Sequence, residues 1–387
     1  MASARDRLFT SRFFVACGFS ATVFISAFAL FPTGPLRILE LGGSTTAAGW
    51  FLGGLTYASA LTAPFTGGLS DRFGRRRTLV WCSLAILGVS LAYSFTRHAA
   101  SMVALAVVHG VFWSGLLSAS AAYVADIVPA TRRAEGLAYW GLATILAIAV
   151  GPPLGLWLND RSWVALCLTV AALNLAMTAI ALALEETAHA HGGRQGERRG
   201  RLIEWRVLVV AGTLFLCSFG YGGVASFIAI FSESIGVQPP GLYFTVLAGV
   251  MVVTRPVLGP LADRRGHMLV LLPCLLLVTA GFALLARAES TTGLMVSAVV
   301  FGAGFGSTYP VLTAFVLQHV EAARRGAAFG SLLAAFDTGI GSGSIALGWI
   351  IDHYGFTYAF GCATLVSALA APYLLATRSL VAGRSAP

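Results

Sequence analysis

Long apolar runs broken by short charged punctuation dominate the chain. They lie near 13–35, 46–68, 78–96, 101–125, 136–158, 162–184, 207–232, 241–262, 268–286, 292–318, 326–350 and 356–377. Each is close to or above the ~20 apolar residues that a helix needs to cross a bilayer, at about 1.5 Å per residue. The pattern predicts an all-α integral membrane protein with twelve transmembrane helices. One longer polar stretch, Glu185 to Arg206, divides the helices six and six. That gives a first bundle over 1–184, a linker over 185–206 and a second bundle over 207–387. Gly and Arg dominate the linker, so His189 and His191 read as parts of a mobile, solvated segment rather than as metal ligands. An amphipathic start near Ile203–Arg206, lying on the membrane surface, is a further reading of its end.

Composition sharpens the membrane reading. Of 387 residues, 57% are apolar and only 11% charged, where a soluble domain carries about 25%. The formal charge is +9, yet the basic residues sit in short clusters between apolar runs. Their placement argues for membrane topology and against nucleic-acid binding. Placing both termini in the cytoplasm puts Arg5, Arg7 and Arg12, Arg72, Arg75 to Arg77, Arg132 and Arg133, the linker arginines, Arg264 and Arg265, Arg324 and Arg325, Arg378 and Arg384 on the inner side. The outer side keeps only Arg37, Arg97, Arg161 and Arg287, as the positive-inside rule requires. The basic N-terminus leads into a run long enough to span, read as a retained first helix and not a cleaved signal. Cys17, Cys82, Cys167, Cys217, Cys274 and Cys362 all fall inside apolar runs and read as small hydrophobes. No metal site or cofactor is expected.

The two halves repeat. Gly67-Gly-Leu69-Ser-Asp71-Arg72-Phe-Gly74-Arg75-Arg76 follows the second run, and Gly259-Pro-Leu261-Ala-Asp263-Arg264-Arg-Gly266-His267 follows the eighth. Gly, Leu, Asp, Arg and Gly recur at one constant offset, 71 to 263 being 192 residues. Duplication explains this better than chance. The glycines permit turns, Asp71 suits a helix N-terminus, and Arg75 or Arg76 has Asp126 as a natural acidic partner. The loop resembles the signature of the major facilitator superfamily, and the resemblance extends over essentially the whole chain. It implies two six-helix bundles rocking about a midplane cavity. It also implies that Asp71, Arg75 and Asp126 form an inner latch between the halves in the outward-facing state. The alternative is that these charges only enforce topology.

Gly141 and Gly151-Pro152-Pro153-Leu154-Gly155 lie in the fifth run. Two prolines kink a helix and flanking glycines admit a neighbour. The stretch resembles the Gly-Pro-rich segment of exporters in that superfamily, although Gly155 is followed by Leu156. The simpler reading is a packing kink. The fourth run departs from the drug/proton antiporters: His109-Gly110 stands where they carry Gln-Gly, and Ala106 where they carry Arg. The first run also lacks their acidic residue.

Ionisable groups at membrane depth are expensive and are functional candidates by default. Asp337 lies twelve residues into the eleventh run, about 18 Å from its cytoplasmic end, and is the first candidate for proton coupling or for binding a charged substrate. An Asp held by neighbouring hydroxyls and backbone is the structural alternative. Arg255, about 12 Å from the inner end of the eighth run, pairs with Asp337, meets an anionic substrate or snorkels inward. His109 is a third titratable candidate, with a neutral, hydrogen-bonded ring as its alternative. Phe24, Tyr57, Trp113, Trp140, Tyr221, Phe227, Tyr309 and Phe336, with Tyr139, are candidates to line a substrate cavity. Trp50, Trp163 and Trp349 sit near run ends and read as interface anchors.

The sequence thus predicts a monomeric secondary transporter of the cytoplasmic (inner) membrane. The preferred function is proton-coupled efflux of hydrophobic or amphipathic small molecules or metabolites. The rival is uptake or facilitated passage of a sugar or anionic metabolite. A membrane enzyme lacks support: no HExxH, GxSxG or phosphate-cradling Gly-Lys motif is present.

Overall fold

The computed structural model describes residues 8–129, 132, 136, 139–186, 204–321 and 324–382. Most of the linker, including His189 and His191, lies outside them. So do the side chains of Gly67 and Asp71. Twelve long helical segments are present among the described residues. The first six are α1 (Ser11–Glu40), α2 (Thr45–Phe73), α3 (Arg75–Ser94), α4 (Ala99–Ile127), α5 (Leu142–Asn159) and α6 (Trp163–Ala183). They are followed by α7 (Trp205–Ser234), α8 (Leu242–Arg265), α9 (His267–Leu285), α10 (Thr291–Gln318) and α11 (Arg325–Tyr354). The last apolar segment, Phe356–Val381, is built from α12 (Phe356–Ala368), α13 (Ala370–Thr377) and a short final turn. The chain is a multi-pass membrane protein, and all six cysteines are free thiols.

Caps fix several starts. Thr10, Ser44, Ser162 and Ser290 each accept a bond from an amide in the first turn of α1, α2, α6 and α10. Expected boundaries move where the apolar count ended too early. The α1 run was expected to stop near 35, at Pro35 and Arg37. The helix continues to Glu40, because Arg37 pairs with Glu40 at 2.8 Å and lies over the Trp163 ring at 5.7 Å. Trp163, expected as a surface anchor, is instead buried, its indole N–H donating to the Tyr93 carbonyl at 2.9 Å. Trp50 and Trp349 are each 46% exposed.

Packing repeats with the sequence. α1 lies on α5, α2 on α4 and α3 on α6; α7 lies on α11, α8 on α10 and α9 on α12. Gly74 (φ +98°) separates α2 from α3, and Gly266 (φ +100°) separates α8 from α9. Their ψ values, 150° and 139°, place both in a region that essentially only glycine occupies. No atom stands within 4 Å of where a methyl group on Gly266 would be. Gly266→Ala therefore tests backbone strain alone, and is expected to cost about 1–3 kcal/mol, read as a lower melting temperature in detergent with an unchanged helical spectrum.

The two halves meet along α2–α11 and, less extensively, α5–α8. Among the described residues, one apolar core runs through the first half and continues into the second half toward the end away from the linker, through residues such as Phe227, Leu247, Phe282 and Leu347. The linker-side end of the second half has a core of its own, around Leu214, Leu271, Leu312 and Leu332. The molecule is therefore drawn together at its far end.

Candidate functional site

The α2–α11 seam carries the most specific chemistry between the halves. Glycines let the backbones touch. A methyl group at Gly49 would stand 2.3 Å from the Ser344 carbonyl oxygen, and one at Gly53 2.5 Å from the Ile345 side chain. Small hydroxyls then stitch the line. The Ser344 hydroxyl donates to the Gly49 carbonyl at 2.9 Å and shares a 2.7 Å bond with Ser226. Deeper, the Tyr57 and Ser342 hydroxyls meet at 2.6 Å. At the inner limit of the seam the Ser59 hydroxyl donates to Asp337 Oδ2 at 3.0 Å. Asp337 is 7% exposed and Ser59 1%. Asp337 therefore sits where the closed seam gives way to the middle of the molecule, bonded across the halves. The register 192 residues earlier in the duplication holds Ile145, which is buried and apolar. The carboxyl is thus not a symmetric packing feature.

An aromatic ladder leads to the same point. Phe301, Phe305 and Tyr309 are spaced by four on one face of α10. Phe301 and Phe305 stack at 4.9 Å, Phe305 stacks on Tyr221 at 4.5 Å and meets Phe336 at 6.1 Å, and Tyr309 meets Phe336 edge-on at 5.1 Å. Three of the expected cavity residues, Tyr221, Tyr309 and Phe336, thus join one aromatic cluster that ends on Phe336, the residue before Asp337, with Phe305 as an unexpected fourth. Its i, i+4 spacing was the signal for it. In the first half Phe24 meets Trp113 edge-on at 5.5 Å, and Trp140 Nε1 donates to Ser20 at 2.6 Å. Phe227 stands apart from these. It is fully enclosed between α7 and α11 near Gly348, and in this conformation it packs the far end.

The remaining candidates are distributed. The Arg255 guanidinium donates to the Gly141 carbonyl at 3.2 Å, across the α5–α8 seam, and is not paired with Asp337. His109 is 1% exposed and both ring nitrogens lack a hydrogen-bond partner, 6.2 Å from the Tyr93 ring. It belongs to the interior of the first half. Gly110 beside it lets α4 approach the Leu55 carbonyl. In α5 both Pro152 and Pro153 lie inside the helix, Gly151 and Gly155 face α1, and Pro153 abuts Gly241 across the halves.

At the linker end, the described ion pairs stay on one side of the seam, while the Arg255–Gly141 bond, farther in, crosses between the halves. Arg75 meets Asp126 at 3.5 Å and Ser70 at 3.1 Å. Arg76 donates to the Leu182 carbonyl at 2.7 Å. Arg12 pairs with Glu185, and Arg324 with Glu204 at 3.3 Å. In the second copy of the loop, Asp263 and Arg264 are exposed, His267 stands 3.8 Å from Asp263, and Gly259 faces open space. Arg72 lies over Phe73 at 5.6 Å. The Arg75–Asp126 part of the expected latch is thus present inside the first half, while Asp71's side chain lies outside the described ones.

Comparison with known proteins places this geometry. The family model of the Major Facilitator Superfamily matches residues 13–330 and 210–386. An uncharacterized MFS-type transporter of Burkholderia pseudomallei is 26% identical over 350 residues, covering 86% of this chain and 85% of its own. The staphylopine export protein of Staphylococcus aureus is 23% identical over 359 residues, covering 88% of each. Among solved structures, a nucleoside transporter, NupG, superposes with a TM-score of 0.76 at 15% identity, covering 95% of this chain and all of its own. At that identity the likeness is one of fold.

Proposed function

The chain belongs to the major facilitator superfamily, and we propose that within it this transporter exports small molecules from the cytoplasm in exchange for protons, with Asp337 as the proton-binding group. That it is a transporter and not an enzyme follows from the family. The linker and both termini are assigned to the cytoplasm by the arginine distribution, in an inner membrane, with one chain as the working unit. On this assignment the far end is the outer side, and the structure is closed outside.

The observation that carries the proposal is the Ser59–Asp337 bond. It joins the halves at the inner limit of the closed seam. Opening of the outer end breaks that bond and brings the carboxyl to the outer side. Closing returns it to the cavity beside Phe305, Tyr309 and Phe336. A group that changes sides in each cycle and is costly as an ion at that depth is suited to carry a proton one way while substrate moves the other. Export as the direction is supported by the staphylopine exporter among the relatives and by the Gly-Pro-rich α5. The aromatic ladder favours flat or amphipathic substrates. Uptake is the second reading, favoured by Ala106 in place of the antiporters' arginine.

The test is proton movement in sealed proteoliposomes that hold a pH dye, with a substrate panel added on either side. Efflux of substrate accompanied by proton entry is the expected result. Substrate and protons moving in the same direction would establish the uptake reading, and substrate flux without protons would remove the coupling.

A further inference from the structure

The outer mouth of the same seam holds a second carboxylate that the transport reading has not used. Asp352 lies in the last turn of α11, in the second half. Its Oδ1 accepts from the Thr45 amide at 2.9 Å and its Oδ2 from the Thr46 amide at 2.7 Å. The hydroxyls of both threonines bond to the same two oxygens. Thr45 and Thr46 are the first two residues of α2, in the first half. The carboxylate thus caps a helix of the opposite half, satisfying two of the amide groups that a helix N-terminus leaves unpaired and facing its positive end. Ser44 supplies α2's own cap to the third amide, that of Ala47. The Thr45 hydroxyl also reaches the Gly348 carbonyl at 2.9 Å.

The duplication supplies an internal comparison. Asp160, 192 residues earlier, closes α5 at the register that Asp352 holds in α11. At the register of Thr45 and Thr46 stand Val237 and Gln238. Neither has a hydroxyl, and the Val237 amide is already committed to the Ser232 carbonyl at 2.8 Å within the second half. The carboxylate recurs, but a donor pair like Thr45-Thr46 does not, and the α5–α8 seam is the less extensive of the two.

We propose that Asp352, with Thr45 and Thr46, is the outer gate of the transport cycle. It accepts from two amides and from the Thr46 hydroxyl, and shares the Thr45 hydroxyl with the Gly348 carbonyl. These contacts exist only when the outer end is closed, and they set how much of the population faces inward. From Asp352 to Asp337 the seam is fifteen residues, about 22 Å of helix. Opening therefore separates the gate at one end and the Ser59–Asp337 bond at the other in a single motion. The inference rests on the alternating-access reading above and not on proton coupling.

The experiment is outer-side labelling of Ser342→Cys, which lies in the seam between the two carboxylates, in a chain whose six native cysteines are replaced. Intact cells are treated with a membrane-impermeant maleimide. Asp352→Asn is expected to raise the labelling rate about tenfold, the effect of losing roughly one helix cap. Thr45→Ala/Thr46→Ala is expected to raise it in the same direction, and serves if Asp352→Asn does not accumulate. Asp160→Asn is expected to leave the rate unchanged. Unchanged labelling in the Asp352 and threonine variants, or an equal rise in Asp160→Asn, would overturn the gate. Gly49→Val, which obstructs the seam sterically, separates the two failures. If it opens the seam while the gate variants do not, only the gate falls. If it does not, the alternating-access reading falls with it.

Discussion

Asp337→Asn is expected to abolish uphill transport, by at least about tenfold in initial rate, while leaving the protein folded and able to bind substrate. The substitution is nearly isosteric. The carboxamide oxygen still accepts the Ser59 hydrogen bond, now at 3.0 Å from the carboxylate, so the cross-half contact and the inner limit of the seam survive. Only the exchange of a proton is removed. Truncating to a group that leaves a buried donor unpaired would confuse the result, since an unsatisfied buried hydroxyl costs about 1–3 kcal/mol by itself. Three measurements separate the roles. Proton movement evoked by substrate should vanish in proteoliposomes. Substrate exchange across the membrane with no proton gradient should persist, because it needs the cavity and the rocking motion but no net protonation. Thermal stability should be little changed. Wild-type proton movement in the variant would remove Asp337 from the coupling step, and loss of exchange as well would reassign it to substrate binding.

The parts of this architecture that depend on composition along one chain were legible in the sequence. Helix number and the duplication at a constant offset both follow from counting residues. The fold that those features predicted is the one observed. What could not be counted was which face of each helix meets its neighbour. Ser59 is one hydroxyl among many, and nothing local marks it as the partner of a residue 278 positions away. Nothing in the sequence singles out Asp352. Only the seam shows that it caps α2 rather than its own helix. Arg255 was equally open to three partners, and the α5–α8 crossing gives it the Gly141 carbonyl. Phe305 was available to periodicity, since it stands four residues from both Phe301 and Tyr309, but an aromatic in an apolar run carries no label separating a cavity wall from lipid contact. Trp163 was misplaced for the opposite reason. A tryptophan at a run end usually anchors at the interface, and here the Tyr93 carbonyl gives its N–H a buried partner.

Two glycines with similar surroundings should give opposite phenotypes when enlarged. A methyl group at Gly343 would stand 1.7 Å from the Phe219 carbonyl oxygen, and one at Gly49 would stand 2.3 Å from the Ser344 carbonyl oxygen. In both cases the obstacle is backbone, which cannot rotate away as a side chain can. Gly343 packs α11 on α7 inside the second half, an interface that persists whichever way the transporter faces. Gly343→Val must therefore displace a helix in every state. Overpacking costs typically about 1–3 kcal/mol, and contact this close is expected to reach or exceed the top of that range, seen as low yield and a markedly lower melting temperature. Gly49 packs α2 on α11 across the halves, an interface that transport itself dissolves. Gly49→Val removes one end of the conformational equilibrium and leaves the other untouched. The expected protein is obtained in normal amount, retains its melting behaviour, reacts with impermeant maleimide at Ser342→Cys, and does not transport. A Gly49→Val protein that failed to fold would mean that the α2–α11 contact is permanent, and the seam would then be part of a fixed core rather than the outer gate. A Gly343→Val protein that folded and transported would show that α7 and α11 move against each other in the cycle, and that the second half does not turn as one body.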